Sequence, residues 1–202
     1  MLQTHNFLVD RLPDTVMVGG VEVSIQTDFR TGIRFTLLMQ DDTLNKSVRI
    51  ELMLAAYYGR NASGGVLRNW QEAIGQALWF YKSGRPERPR AQRSDDDNTQ
   101  DGKSYDFEYD GSLIYAAFRE QYGIDLLDIE YLHWWKFKAL FAALSDATEF
   151  IKVVGYRSIE LTDKMTSEDR ARYSRLKKIY ALPDNRTEEE KEEAFARSLL
   201  SL

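Results

Sequence analysis

Few side chains in this sequence are of the kinds that do chemistry. Of its two histidines, His5 lies near the start and His133 stands between Leu132 and Trp134. Glu130 precedes His133 by three positions, a spacing that puts both side chains on one face of a helix. Carboxylate-bridged di-metal bundles use two such pairs and two further glutamates, and only one pair occurs here. His133 therefore reads as a structural histidine, buried or half-buried. A Ser-His-Asp site is recognised by geometry rather than spacing, but no Gly-x-Ser-x-Gly elbow accompanies the serines. Gly59–Gly65 has the glycines of a phosphate loop without the Lys-Ser/Thr that must follow them. Cysteine is absent, which removes thiolate nucleophiles, disulfides and Cys-ligated metals. The acidic runs Asp95–Asp97 and Glu188–Glu193 read as solvated faces. The expectation is a protein with no catalytic residue, no metal and no cofactor.

Binding chemistry is better represented. Tyr105, Phe107 and Tyr109, then Trp134, Trp135, Phe137 and Phe141, gather large rigid side chains in a short span. Such residues fill cores, and Trp and Tyr also anchor interfaces. Adjacent Trp134 and Trp135 are hard to bury on one side of a helix. Tyr131, Trp134, Phe137 and Phe141 are accordingly the candidate partner-binding residues, able to offer a groove to an amphipathic helix. Arg170, Arg172, Arg175, Lys177 and Lys178 could meet nucleic acid, but Glu168 and Asp169 lie beside them. The net charge of −5 and pI near 5.2 also lack a nucleic-acid footprint. No nucleic-acid partner is expected.

The elements that must position these residues are mainly helical. With 43% hydrophobic residues in 202, there is enough apolar surface for a packed core. Val16–Val18 and Val21–Ile25 flank Gly19-Gly20, predicting a hairpin with a type I′ turn and Val21, Val23 and Ile25 turned inward. Thr27 or Asp28 caps a helix to about Met39, with Phe29, Ile33 and Leu37 on its stripe. A second helix runs from near Thr43 to Tyr58, carrying Leu44, Val48, Leu52 and Ala55/Ala56, and stops at Gly59. In a third, Val66, Trp70, Ile74, Ala77/Leu78 and Tyr81 share a face. Residues 1–82 thus read as a hairpin with a three-helix region.

Ser83–Ser104 holds no apolar side chain larger than Ala91. Such a stretch cannot offset its ordering entropy by burial and reads as a flexible linker. Residues 105–202 then form a helical domain with its own core. It opens on an extended Tyr105–Tyr109, followed by a helix capped by Asp110 and stopped by Gly123. The longest helix should run from Asp128 to about Leu144. A short one follows from Asp146 to Val154, ended by Gly155. The next starts at Thr166 or Ser167 and buries Tyr173, Leu176, Ile179 and Tyr180. Thr187–Glu190 reads as a capping box before a narrow stripe of Ala194, Phe195, Ser198, Leu199 and Leu202. That last helix could dock on its own domain, pair with a partner or fray. The first residues lack the basic and apolar regions of an export signal. No run of about 18 apolar residues occurs, so no membrane association is expected.

Several segments together resemble a known family. They are Ile114–Phe118, Gln121–Leu126, Leu132–Phe137 with Leu140-Phe141, Gly155–Ile159 and Leu176–Pro183, joined by Val23–Arg30 with its Thr27-Asp28-Phe29-Arg30. This set is similar to the bacteriophage gene-product-fifteen family of siphophages and prophages. The resemblance covers nearly the whole chain, most strongly 105–183. It implies a tail-module protein encoded between the major tail protein and the tape-measure protein, the position typical of tail assembly chaperones. The implied function is non-enzymatic, in the host cytoplasm, with the tape-measure protein as partner. The tail-tube protein and a second copy of the chain are further candidates. The alternative implied role is a minor structural component retained in the virion.

Overall fold

Glycine at two consecutive positions sets the first element. Gly19 and Gly20 have φ of 60° and 76°, the left-handed values a type I′ turn requires. They close β1 (Thr15–Val18) onto β2 (Val21–Ser24) in the register Val16↔Val23 and Val18↔Val21. Val16, Val18 and Ile25 are buried, whereas Val21, at the tip, is exposed. A lone hairpin is marginal in water. Here its tip is held down by Glu72, whose carboxylate accepts the Gly19 N–H at 2.8 Å.

The computed structural model describes residues 6–84 and 104–183. Eight α-helices follow the hairpin among the described residues: α1 (Phe29–Gln40), α2 (Lys46–Tyr58), α3 (Gly64–Arg68), α4 (Trp70–Tyr81), α5 (Gly111–Tyr122), α6 (Trp134–Ala142), α7 (Glu149–Ser158) and α8 (Ser167–Ile179). The chain is mainly α, a helical bundle with an N-terminal hairpin, as expected. Among the described residues no helix is long and apolar enough to cross a membrane. His5, the linker reading of 85–103 and the last helix read from Thr187 lie outside the described residues.

Several helices turn a different face inward from the one anticipated. On α2, capped by the Asn45 side chain on the Val48 N–H, the buried residues are Met53, Leu54, Tyr57 and Tyr58. Val48 and Leu52 are exposed. Both stripes are apolar, and the one with two tyrosines buries more area. Tyr57 meets Phe35 and Phe80 edge-on at ring-centroid distances of 4.7 and 5.6 Å. The third helix is broken at Asn69 into α3 and α4, and Ala73, Ala77 and Phe80 face inward while Trp70 is exposed. Helix α7 starts at Thr148, whose hydroxyl caps it, and runs through Gly155 to Ser158. Helix α8, capped by Thr166, buries no residue.

The largest difference lies before α6. The segment read as its first turns is not helical, because its backbone pairs sideways with the start of α1. Phe29 N–H donates to the Leu132 carbonyl at 2.8 Å, and Trp134 N–H to that of Thr27 at 2.7 Å. Asp28 serves both strands of this contact: Oδ1 accepts the Arg30 N–H, capping α1, and Oδ2 accepts the Leu132 N–H. Arg30 reaches across to the carbonyls of Leu126 and Ile129 at 3.1 and 2.8 Å. Buried polar backbone groups need such partners, so the helix begins only at Trp134, with His133 as its cap.

Among the described residues the buried side chains form a cluster that runs from Val16 and Val18 through Phe35, Tyr57 and Phe80 to Trp134, Trp135, Phe118 and Phe150.

Candidate functional site: an aromatic cleft at the helix seam

Helix α6 is short and apolar on most sides, so it needs walls on more than one side. Trp134 faces α1 and stacks on Tyr81 at 5.4 Å. Trp135 turns to α4, against Trp79 and Phe80 at 5.8 and 5.6 Å. Both rings are 2% exposed, so the doublet that suggested a surface is core. Each indole also spends its polar edge. Trp134 Nε1 donates to the Tyr81 carbonyl at 3.0 Å and Trp135 Nε1 to that of Phe80 at 2.7 Å. Lys138 Nζ donates to Tyr81 as well, at 2.9 Å. A helix leaves its final carbonyls without internal donors, and a cation at that end favours its dipole. Helix α6 thus caps the C-terminus of α4 with three side chains.

Beside this seam lies a cleft of about 400 Å³, in the size range of ligand pockets. Its walls are Tyr81, Tyr105, Phe107, Trp134, Phe137, Phe141, Phe150, Ile151 and Val154, with Ser104, Lys138 and Ala142 completing the lining. Phe141 is the hub, 5.1 Å from Tyr105, 5.5 Å from Phe107, 5.8 Å from Phe137 and 5.4 Å from Phe150. Rings at such offsets attract one another beyond their area burial. Burial, and after it Tyr81, push the Tyr105 phenol above its usual range. Among the described lining residues Lys138 is the cationic one, and its ammonium lies over Tyr81 and Trp134 at 5.4 and 5.8 Å. It can hold an apolar or aromatic group.

Three of the four sequence candidates, Trp134, Phe137 and Phe141, come together in this cleft. Trp134 and Phe137 are buried and serve as its floor, and Phe141 is half-buried. Tyr131 belongs elsewhere: it is 52% exposed, with its hydroxyl 2.7 Å from that of Thr27. The α7 wall of Phe150, Ile151 and Val154 was missed, because a short helix read as ending at Gly155 gave no reason to bring it to α6.

His133 is 5% exposed. Its Nδ1 accepts the Trp135 N–H at 3.1 Å, which leaves Nε2–H to donate to the Pro13 carbonyl at 3.2 Å. Glu130 is exposed and lies outside any helix, so the two do not share a helical face. Among the described residues no three His, Asp or Glu side chains gather as a metal-binding group.

Asp110, expected to cap α5, makes no capping bond. It forms instead a buried, two-pronged pair with Arg157, at 2.7 and 2.8 Å, with side chains 1% and 6% exposed. Arg157 also donates to the carbonyls of Ser104 and Tyr180. This guanidinium ties α5, α7 and the end of α8 to the edge of the cleft.

The family described as Bacteriophage Gp15 protein matches residues 8–182. No curated protein and no solved structure matches the chain.

Proposed function

Because this chain belongs to the bacteriophage Gp15 protein family, we propose that it is a phage tail assembly protein that works by holding an apolar segment of a partner rather than by catalysis. Membership makes it a phage protein. The resemblance set out above gives the tail module as the setting and the tape-measure protein as the client. The observation that supports a binding role is the aromatic cleft. About 400 Å³ of solvent-open space is bounded by Phe107, Phe141 and Phe150, within the size range of ligand pockets. One large apolar side chain, presented by a client helix, suits it. An assembly chaperone would hold such a side chain until tail-tube subunits replace it.

Co-expression with the tape-measure protein followed by pull-down tests the reading. Phe141→Ala, which removes the hub ring without touching the indole caps of α4, should lower recovery at least tenfold while the circular dichroism spectrum is kept. Unchanged recovery would remove the cleft from the account. Mass spectrometry of purified virions provides a second test. A chaperone is absent from finished tails, whereas finding the chain there at tail stoichiometry would make it a structural component.

A further inference from the structure

Two features that stand out in the sequence play no part in the cleft: Tyr131 and the basic residues of α8. Tyr131 closes a loop, residues 125–131, that is fixed from several sides. The Asp125 carboxylate accepts the N–H groups of Leu127 and Asp128 at 3.0 and 3.3 Å. Arg30 holds the carbonyls of Leu126 and Ile129, and the Tyr131 hydroxyl meets that of Thr27. On this frame Leu127 is 77% and Tyr131 52% exposed, and the exposed Asp128 and Glu130 stand between them in the chain. Large apolar side chains held out into water on a rigid support are suited to anchoring a partner.

Helix α8 carries the opposite charge. It buries no residue, and it is held in place by Thr166 on the Asp169 N–H, by Asp163 on Arg170 at 2.6 Å and by Lys177 on the Ile159 carbonyl at 2.8 Å. Arg172, Arg175 and Lys178 are exposed, and so is Ile179, at 57%. Three-residue spacing sets the cations on successive turns over a rise of about 9 Å. Asp128 and Glu130, two positions apart, have Cα atoms at most about 7 Å from each other. The carboxylates thus match neighbouring cations in spacing, as Leu127 and Tyr131 match Ile179 in character. Among the described residues none of these five charged groups enters an ion pair, and no hydrogen bond joins the two surfaces within one chain.

We propose that these two surfaces bind each other between copies of this chain, the 125–131 loop of one molecule seated on α8 of the next. Opposite charge sets the register, and Leu127 and Tyr131 cover Ile179. Because the surfaces differ, the contact is heterologous, and it repeats from copy to copy until it closes as a ring or runs on as an open stack. A nucleic-acid backbone suits α8 less well, since Glu168 and Asp169 open the same helix and a phosphate chain makes no use of Ile179. The inference depends on neither the cleft nor its client.

Sedimentation velocity of the full-length chain at rising micromolar concentration tests it, and the parent should increasingly exceed the single-chain mass of 23.5 kDa. Asp128→Asn with Glu130→Gln weakens the loop surface, and Arg175→Gln with Lys178→Gln weakens the helix surface. Each variant alone should associate at least tenfold more weakly than the parent, with its circular dichroism spectrum kept. Mixed in equal amounts, the two should form a complex of two chains and nothing larger, because one intact loop then meets one intact helix. A parent that stays monomeric overturns the proposal, and if it retards a short DNA duplex, nucleic acid is the occupant of α8 instead. Variants that associate as well as the parent overturn it by removing both surfaces from the contact. A mixture that stays monomeric overturns it by showing that the surfaces do not meet each other. These readings are taken without the tape-measure protein, so a failed pull-down leaves them intact, and the reverse also holds.

Discussion

Replacing Gly32 by alanine should destabilise the protein, although alanine is the better helix former. Gly32 is the fourth residue of α1, where a Cβ would come within 2.2 Å of Trp134 Cε3 and 2.3 Å of Cδ2. Ordinary carbon–carbon contact begins at about 3.5 Å, so α1 and the indole must separate by roughly 1.3 Å. The ring has little freedom to yield. Tyr81 and Phe137 stack on it at 5.4 and 5.6 Å, and its Nε1 is held by the Tyr81 carbonyl at 3.0 Å. Overpacking of this sort costs about 1–3 kcal/mol, and loss of the indole hydrogen bond adds about 1 kcal/mol. Against this stands about 1 kcal/mol of helix propensity gained by replacing glycine. The net loss should be about 1–3 kcal/mol, which in a chain of this size lowers the melting temperature by roughly 5 °C. Urea unfolding followed by tryptophan fluorescence and circular dichroism measures it, and an unchanged slope would show that the native packing alone has altered. The decisive arm is the same substitution in a Trp134→Leu background, where the clash is gone and alanine should be neutral or stabilising. If Gly32→Ala raises the midpoint by itself, or costs the same in both backgrounds, the close approach of α1 to the indole is not what this glycine permits.

Other perturbations follow from the same contacts. Arg157→Met leaves the Asp110 carboxylate buried without its partner and should cost about 3–5 kcal/mol; Arg157→Lys should recover only part, since an ammonium cannot make the two-pronged contact. Tyr57→Phe removes a buried hydroxyl with no hydrogen-bond partner among the described residues and should leave stability unchanged or raise it by up to ~1 kcal/mol. Tyr58→Phe should cost about 1 kcal/mol at neutral pH, because its hydroxyl donates to the Ala73 carbonyl at 2.8 Å. In alkali the two forms diverge in the opposite sense. Burial, aided by the Glu72 charge, pushes the Tyr58 phenol from 10.0 up to about 12. Its proton is then kept by the folded chain and lost by the unfolded one between those values. Stability should fall there by about 1.4 kcal/mol per pH unit from this group, and Tyr58→Phe should flatten that slope in urea titrations run from pH 9 to 12. Arg30→Gln should cost about 1–3 kcal/mol and speed amide exchange at Leu132 and Trp134, whose pairing with α1 the guanidinium secures.

Local signals in the sequence were read well where the local chain decides the outcome. Gly19-Gly20 between alternating valines means a hairpin in any context, and Thr166 or Gly123 mark helix ends by their own geometry. Misreadings arose where a partner distant in sequence decided. Asp110 looks like a cap until Arg157, in α7, claims it. Residues 128–133 carry helical spacing, but Thr27–Phe29 take their hydrogen bonds. Helix α2 has two apolar stripes, and only Phe35 and Phe80 show which one is buried. Trp134, Phe137 and Phe141 stand out in the sequence as an aromatic cluster, and the fold brings these three to one cleft. Their roles as its floor and hub were hidden, because both tryptophans find walls and carbonyl acceptors on α4 that no spacing rule reveals.

The capping of α4 by side chains of α6 bears on how a nascent chain acquires its shape. Tyr81 waits for an indole 53 positions later, and Asp28 for a backbone amide 104 positions later. While the ribosome is still making the middle of the protein, its first half has neither its helix end closed nor its inner aromatic wall complete. Such long-range closure slows folding and leaves apolar surface open during synthesis. The first half should therefore remain protease-sensitive on stalled ribosomes until α6 has cleared the exit tunnel.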